Sequence, residues 1–209
     1  MARQRGRPKQ KDGPVVTRQE LLEIAARAIG RDGASGASMR GIASAAEVSL
    51  ATLQHHFATK AILWKAVIDE LLVPDLERRP EVEQGEHESI LAAAIAARLN
   101  ASVVRPGLSG RLLTDSSPEG QERLRYLAEA TRSVRQTDRE LLCALRDSGV
   151  IRPVDMDAFL TLTGIALSTL SSSKNAVREL IGPDLEDDAD RSRMIAGITD
   201  LLLHGLLPR

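Results

Sequence analysis

Apolar residues recur every three or four positions through most of the chain, with polar residues between them, and this spacing predicts helices almost throughout. Leu21, Ile24, Ala25 and Ala28 follow the i, i+3, i+4, i+7 pattern of one buried face. Thr17 and Glu20 have the T-x-x-E spacing of a capping box, and Val16 and Leu21 fall at the positions of a hydrophobic staple. This first helix is predicted to stop near Gly33. A second, short helix starts after Ser38 as N-cap, with Met39, Ile42, Ala43 and Ala46 at the same spacing. A third starts after Ser49, with Val48 and Leu53 as a second staple and Leu50, Leu53 and Phe57 as its apolar positions. So few residues join the second helix to the third that the two must cross steeply. Two short helices joined by a tight turn and packed on a longer one make a helix-turn-helix, here at about residues 38–57.

Thr59 caps a fourth predicted helix, from Lys60 to about Leu72, which is expected to end before Pro74. Further helical patterns cover roughly 87–104, 108–113, 118–147, 155–181 and 190–206. Gly149 sits where a C-terminal cap would follow the third of these. Thr137 and Glu140 form another capping box within 118–147, leaving open whether that stretch is one helix or two. The predicted fold class is all-α, with about nine helices in total.

Composition narrows the picture. Aromatic residues make up 2% of the chain and are limited to Phe57, Trp64, Tyr126 and Phe159. The core must therefore be built from Leu, Ile, Val and Ala, which suits helix packing. The longest apolar run, Ile90 to Ala97, is too short to span a bilayer. No secretory signal follows the basic N-terminus, and the single cysteine, Cys143, permits no internal disulfide. These features point to a cytoplasmic protein with no membrane partner. The net charge of −1 hides an asymmetry. Residues 1–60 carry ten Lys/Arg against five Asp/Glu, and the remainder 18 against 24. A basic head on an acidic body suits a polyanionic partner, although a solvated basic tail has the same charge.

The third helix carries the candidate chemistry. Leu53 and Phe57 lie four apart and face the core, which leaves Ala51, Thr52, Gln54, His55 and part of Leu50 on the other side. Small and polar residues at the start of such a helix fit a major groove, and Thr52, Gln54 and His55 can donate hydrogen bonds to phosphates. Ile42 to Val67, IASAAEVSLATLQHHFATKAILWKAV, resembles the DNA-binding region of tetracycline-repressor-like (TetR-family) regulators, whose pattern runs roughly IA-x-x-AGVS-x-GTLYHHF-x-x-K-x-x-L. Ile42, Ala43, Ala46, Val48, Ser49, Thr52, Leu53, His55, His56, Phe57, Lys60 and Leu63 match it. Glu47 stands where the pattern has Gly in the turn, Ala51 replaces a second Gly, and Gln54 replaces Tyr. If residue 47 needs a left-handed backbone, Glu costs on the order of 1 kcal/mol there.

The resemblance implies that a groove-facing residue lies at or near Arg40, that Lys60 meets a phosphate at a helix N-terminus, and that Ser49 and Leu50 belong to the DNA face. Arg40 suits either a guanine edge or a phosphate. Ser38 and Thr17 are caps that can also touch phosphates. Arg5, Arg7 and Lys9 lie in RGRPK, similar to an AT-hook core for the A·T minor groove; a generic basic tail reads the same.

On this resemblance the chain divides into a disordered basic arm (1–14), a helix-turn-helix DNA-binding domain (15–60) and a helical ligand-binding and dimerisation domain (61–209). The last two predicted helices carry Phe159, Leu162 and Ile165, and Ile195, Ile198, Leu202 and Leu206. The resemblance makes them a homodimer interface; their pattern alone fits an intrachain core equally well. Trp64, Tyr126, Arg132, Cys143, Thr161 and Thr163 are candidate lining residues of a pocket for an unknown small-molecule effector. The expected function is that of a DNA-binding transcriptional regulator: a repressor that binds a pseudo-palindromic double-stranded operator as a dimer and is released by its effector. The alternatives are an architectural A·T-preferring DNA-binding protein, suggested by the arm, and an enzyme or ligand carrier. No cofactor, metal or catalytic residue is indicated: Gly30, Gly33 and Gly36 do not form a dinucleotide loop, and His55 and His56 cannot share one helix face.

Overall fold

The computed structural model describes residues 16–78, 87–104, 108–166 and 174–206, and among them every regular element is helical. The arm and its Arg5, Arg7 and Lys9 lie outside the described residues. Four elements build the head: α1 (Arg18–Gly36), α2 (Met39–Ala45), α3 (Leu50–His56) and α4 (Lys60–Val67). A π-helical turn, Ile68–Leu72, carries α4 into α5 (Val73–Glu77). The body continues with α6 (His87–Val104), α7 (Leu108–Thr114), α8 (Pro118–Ala130), α9 (Arg132–Asp147) and α10 (Met156–Thr161). A second π-turn, Leu162–Ala166, follows α10, and α11 (Lys174–Ile181) and α12 (Asp188–Leu206) complete the body.

Three expectations are corrected. Pro74 does not end the fourth helix. The π-turn shifts the hydrogen-bond ladder and leaves Pro74 in the first turn of α5, where its missing N–H is tolerated. The stretch 118–147 is two helices, but the junction is Thr131 rather than the Thr137 box. Thr131 Oγ1 donates to the Leu127 carbonyl at 2.8 Å, and Arg135 donates to the Ala128 carbonyl at 2.6 Å. The Leu127 carbonyl keeps its backbone bond from Thr131 N at 3.0 Å as well, so the side chains of Thr131 and Arg135 add bonds at the junction, while Thr137 lies within α9. The stretch 155–181 is not one helix either, because the second π-turn interrupts it after Thr161. Elsewhere the punctuation acts as read: Gly33 breaks α1 with φ of 74°, and Gly149, with φ of 76°, closes α9.

Two apolar clusters hold these helices together. The first joins Leu21, Leu22 and Ala25 of α1, Ile42 of α2, Leu53 of α3, Phe57, and Leu63 and Val67 of α4 to Leu108, Leu112 and Leu127 of the body. A fully buried Leu, Ile or Phe contributes roughly 1.5–3 kcal/mol, so this cluster fixes the head both to itself and to α7 and α8. The second joins Leu91, Ile95 and Leu99 of α6, Leu142 and Leu145 of α9, Ile151, Met156 and Ile195. It lies where α12 packs along α6.

Candidate nucleic-acid interface

The interface begins with caps. Thr17 and Glu20 close a reciprocal box: Thr17 N donates to Glu20 Oε2 at 2.7 Å, and Glu20 N donates back to Thr17 Oγ1 at 3.2 Å. The Thr17 N–H, and then the Thr17 hydroxyl, which donates to Glu20 Oε2 at 2.8 Å, hold the Glu20 carboxyl below its ordinary range. Ser38 Oγ accepts from Gly41 N at 3.0 Å, Ser49 Oγ from Thr52 N at 3.0 Å, and Thr59 Oγ1 from Ile62 N at 3.2 Å. Each satisfies a backbone donor that the helix leaves without a partner, so α2, α3 and α4 start at fixed positions despite their shortness.

The turn between α2 and α3 is fixed by backbone geometry. Val48 N donates to the Ala43 carbonyl at 3.0 Å, which requires the intervening Glu47 to be left-handed, with φ of 54°. Among the described residues it is the one non-glycine with positive φ. A side chain in that region costs on the order of 1 kcal/mol relative to Gly. With the turn set, α3 becomes two-faced. Leu53 and Phe57 are 0% exposed, whereas Ala51, Gln54 and His55 are exposed and Leu50 and Thr52 half-buried. Thr52 Oγ1 lies 2.8 Å from Ser49 Oγ. Arg40 is exposed on α2.

Lys60 is placed differently from a free helix-end cation. Its Nζ donates to the Ser35 carbonyl at 3.0 Å, tying α4 to the last turn of α1. Burial, and then the charge of Arg123, lower its pKa. Arg123 Nη1 reaches Ser35 Oγ at 3.3 Å and Asp115 Oδ2 at 3.1 Å. Two bonds from Ser117, then Arg123, hold the Asp115 carboxyl below its usual range. Arg18 pairs with Glu70, with its guanidinium 4.8 Å from the centre of the Phe57 ring. These head–body contacts escaped the sequence reading. Their partners lie 52 and 88 positions apart, beyond any local pattern.

Of the six candidate effector residues, Trp64 and Tyr126 are in contact. Trp64 is buried in the first cluster and meets Tyr126 edge-on, ring centres 5.9 Å apart. Tyr126 donates to Asp69 at 2.6 Å, which raises its pKa to about 12. Arg132 is exposed and pairs with Glu129. Cys143 is half-buried beside the second cluster, Thr161 is exposed, and Thr163 Oγ1 donates to the Phe159 carbonyl at 2.9 Å. Of the residues expected at a dimer face, Ile195 is buried in the chain's own second cluster and so offers no surface to a partner. Phe159, Ile198 and Leu202 pack partly against that cluster, and Leu162 is 53% exposed. The side chains of Ile165 and Leu206 lie outside the described residues.

Capped short helices, a fixed turn and an outward helix face define a helix-turn-helix, carried on a body whose described elements are all helical. Residues 21–67 match the family model described as bacterial regulatory proteins, tetR family. The HTH-type nicotine-responsive transcriptional repressor HdnoR of Paenarthrobacter nicotinovorans is 40% identical over 85 residues, covering 41% of this chain and 42% of that protein. The chain thus aligns with less than half of that relative's length. The fold match is longer. The ketosteroid transcriptional regulator KstR2 of Mycobacterium tuberculosis superposes with a TM-score of 0.70 at 19% identity, covering 94% of this chain and 98% of that one. A TetR-family protein from Vibrio parahaemolyticus does so with a TM-score of 0.56 at 20% identity, covering 92% and 99%. Residues 21–67 are thus similar to the tetR family of bacterial regulatory proteins, and the fold of the whole chain is similar to that of the two solved regulators.

Proposed function

We propose that the chain is a transcriptional repressor that grips a pseudo-palindromic operator as a two-fold dimer and lets go when a small molecule enters the body. The observation that carries this reading is the two-faced α3, whose exposed Ala51, Gln54 and His55 back onto the fully buried Leu53 and Phe57. A helix so anchored can enter a major groove without disturbing its own core. Leu50, Thr52 and Gln54 then meet the groove wall, and Arg40 reads a base edge or clamps a phosphate. Ser38, Ser49 and the Thr17 end of α1 lie toward the backbone. Lys60 contributes charge from its place on Ser35. The arm adds Arg5, Arg7 and Lys9 to the phosphate contacts.

Dimerisation is supported by apolar surface left over on the C-terminal helices. Leu162 and Leu201 are 53% and 73% exposed, and a methyl added at Gly164, Gly197 or Gly205 would meet open space. This face suits close packing against a second copy. For the effector we favour the second cluster over the residues around Trp64. Thr199 is buried at 8% exposure, with its hydroxyl lacking a hydrogen-bond partner among the described residues, and a bound acceptor would satisfy it.

Selection of bound duplexes from a random pool tests the DNA-binding reading. One enriched inverted repeat supports the repressor, and A·T-rich enrichment without symmetry supports an architectural role instead. No enrichment even at low salt sinks both.

A further inference from the structure

Glu47 combines three properties that no other described residue of the head combines. Its backbone is left-handed, at φ 54°, in the turn that launches α3. Its side chain is exposed, while its neighbour Val48 packs against the first cluster. Its carboxylate has no hydrogen-bond or ion-pair partner among the described residues. Other carboxylates of the head and its seam with the body are engaged: Glu20 by Thr17, Asp32 by Arg31, Asp69 by Tyr126 and Glu70 by Arg18. A strained backbone that carries an unpaired charge is explained by what the charge does, because the fold itself would be better served by glycine.

The position limits what that can be. Glu47 stands two residues before Ser49, the N-cap of α3, and the first residues of such a helix reach base edges. A carboxylate there is repelled by phosphates and can make no phosphate bond, since it is an acceptor only. The major-groove donors are the amino groups of adenine, N6, and cytosine, N4; adenine sets its acceptor N7 beside the amino group, against a carboxylate, so the favoured partner is cytosine N4.

Resting on the operator-binding reading above, we propose that Glu47 is a specificity-determining residue. Its carboxylate weakens every phosphate-only encounter and is compensated only where a cytosine N4 amino group faces the start of α3. Discrimination then comes from a penalty on the wrong sites as much as from a gain on the right one.

The test runs pool selection in parallel on the full chain and on its Glu47→Gln and Glu47→Gly variants, then measures affinity for the wild-type consensus and for a scrambled duplex of equal length. Wild type enriches a cytosine at one position of each half-site, and both variants lose that preference. The ratio of consensus to scrambled affinity falls about tenfold, the scale of one lost base contact, with the scrambled duplex bound more tightly by both variants. Thermal melting separates charge from strain: Glu47→Gly melts higher than wild type, whereas Glu47→Gln, which keeps the left-handed side chain, does not. An unchanged consensus and unchanged ratio in Glu47→Gln overturn the proposal while leaving operator binding intact. A wild type that enriches nothing overturns both.

Discussion

Tyr126 shows how one side chain reports on the seam between head and body. Its hydroxyl donates to Asp69, just beyond α4, and its ring meets Trp64 within α4. Because the protonated phenol makes the bond, its folded pKa rises from the ordinary 10.0 to about 12, first through Asp69 and then through burial. The stabilisation is therefore complete below about pH 10, the pKa of an unfolded tyrosine, and is lost as pH climbs through the folded value. The chain has a single tyrosine, so an ultraviolet titration of tyrosinate reads this group directly. We expect a midpoint near 12 in the folded protein, falling to about 10 in denaturant; a folded midpoint near 10 would show that the Asp69 bond does not form. At this scale the sequence was legible wherever partners are close. Thr17, Ser38, Ser49 and Thr59 each bond a backbone N–H three residues on. Arg18, Ser35 and Arg123 were not legible, because only the fold brings their partners near.

Among the elements, boundaries marked by caps and glycines were readable and interruptions within helices were not. Periodicity records which face is buried, and a π-turn barely disturbs it, so neither Ile68–Leu72 nor Leu162–Ala166 left a signature. The Thr137–Glu140 spacing was a false signal, since α9 runs straight through it. Gly33 was a true one, and its role extends past ending a helix. The left-handed break turns Ser35 so that its carbonyl meets Lys60 and its hydroxyl meets Arg123. Gly33→Ala adds a methyl that finds open space, so its cost is purely conformational. We expect a loss of about 1 kcal/mol in chemical denaturation, with helix content unchanged. A neutral substitution would show that the break is not held in the folded chain.

For the whole molecule, the charge division along the sequence and the division into head and body point the same way. The basic part carries α2 and α3, and the acidic part carries the apolar C-terminal helices. Fold class and the two-faced character of α3 were both legible, because they follow from local spacing. The effector and dimer residues were less so. An apolar stripe on a helix has the same pattern whether it faces its own core, as Ile195 does, or solvent, as Leu201 does. In the proposed complex, two copies present paired α3 helices to one duplex. Hydroxyl-radical footprinting on the enriched sequence, with the protein–DNA stoichiometry measured on the same complex, tests it most directly. We expect two chains per duplex and two protected half-sites about one helical turn, or a whole number of turns, apart. One chain on a single protected site, or diffuse protection along A·T tracts, would contradict it.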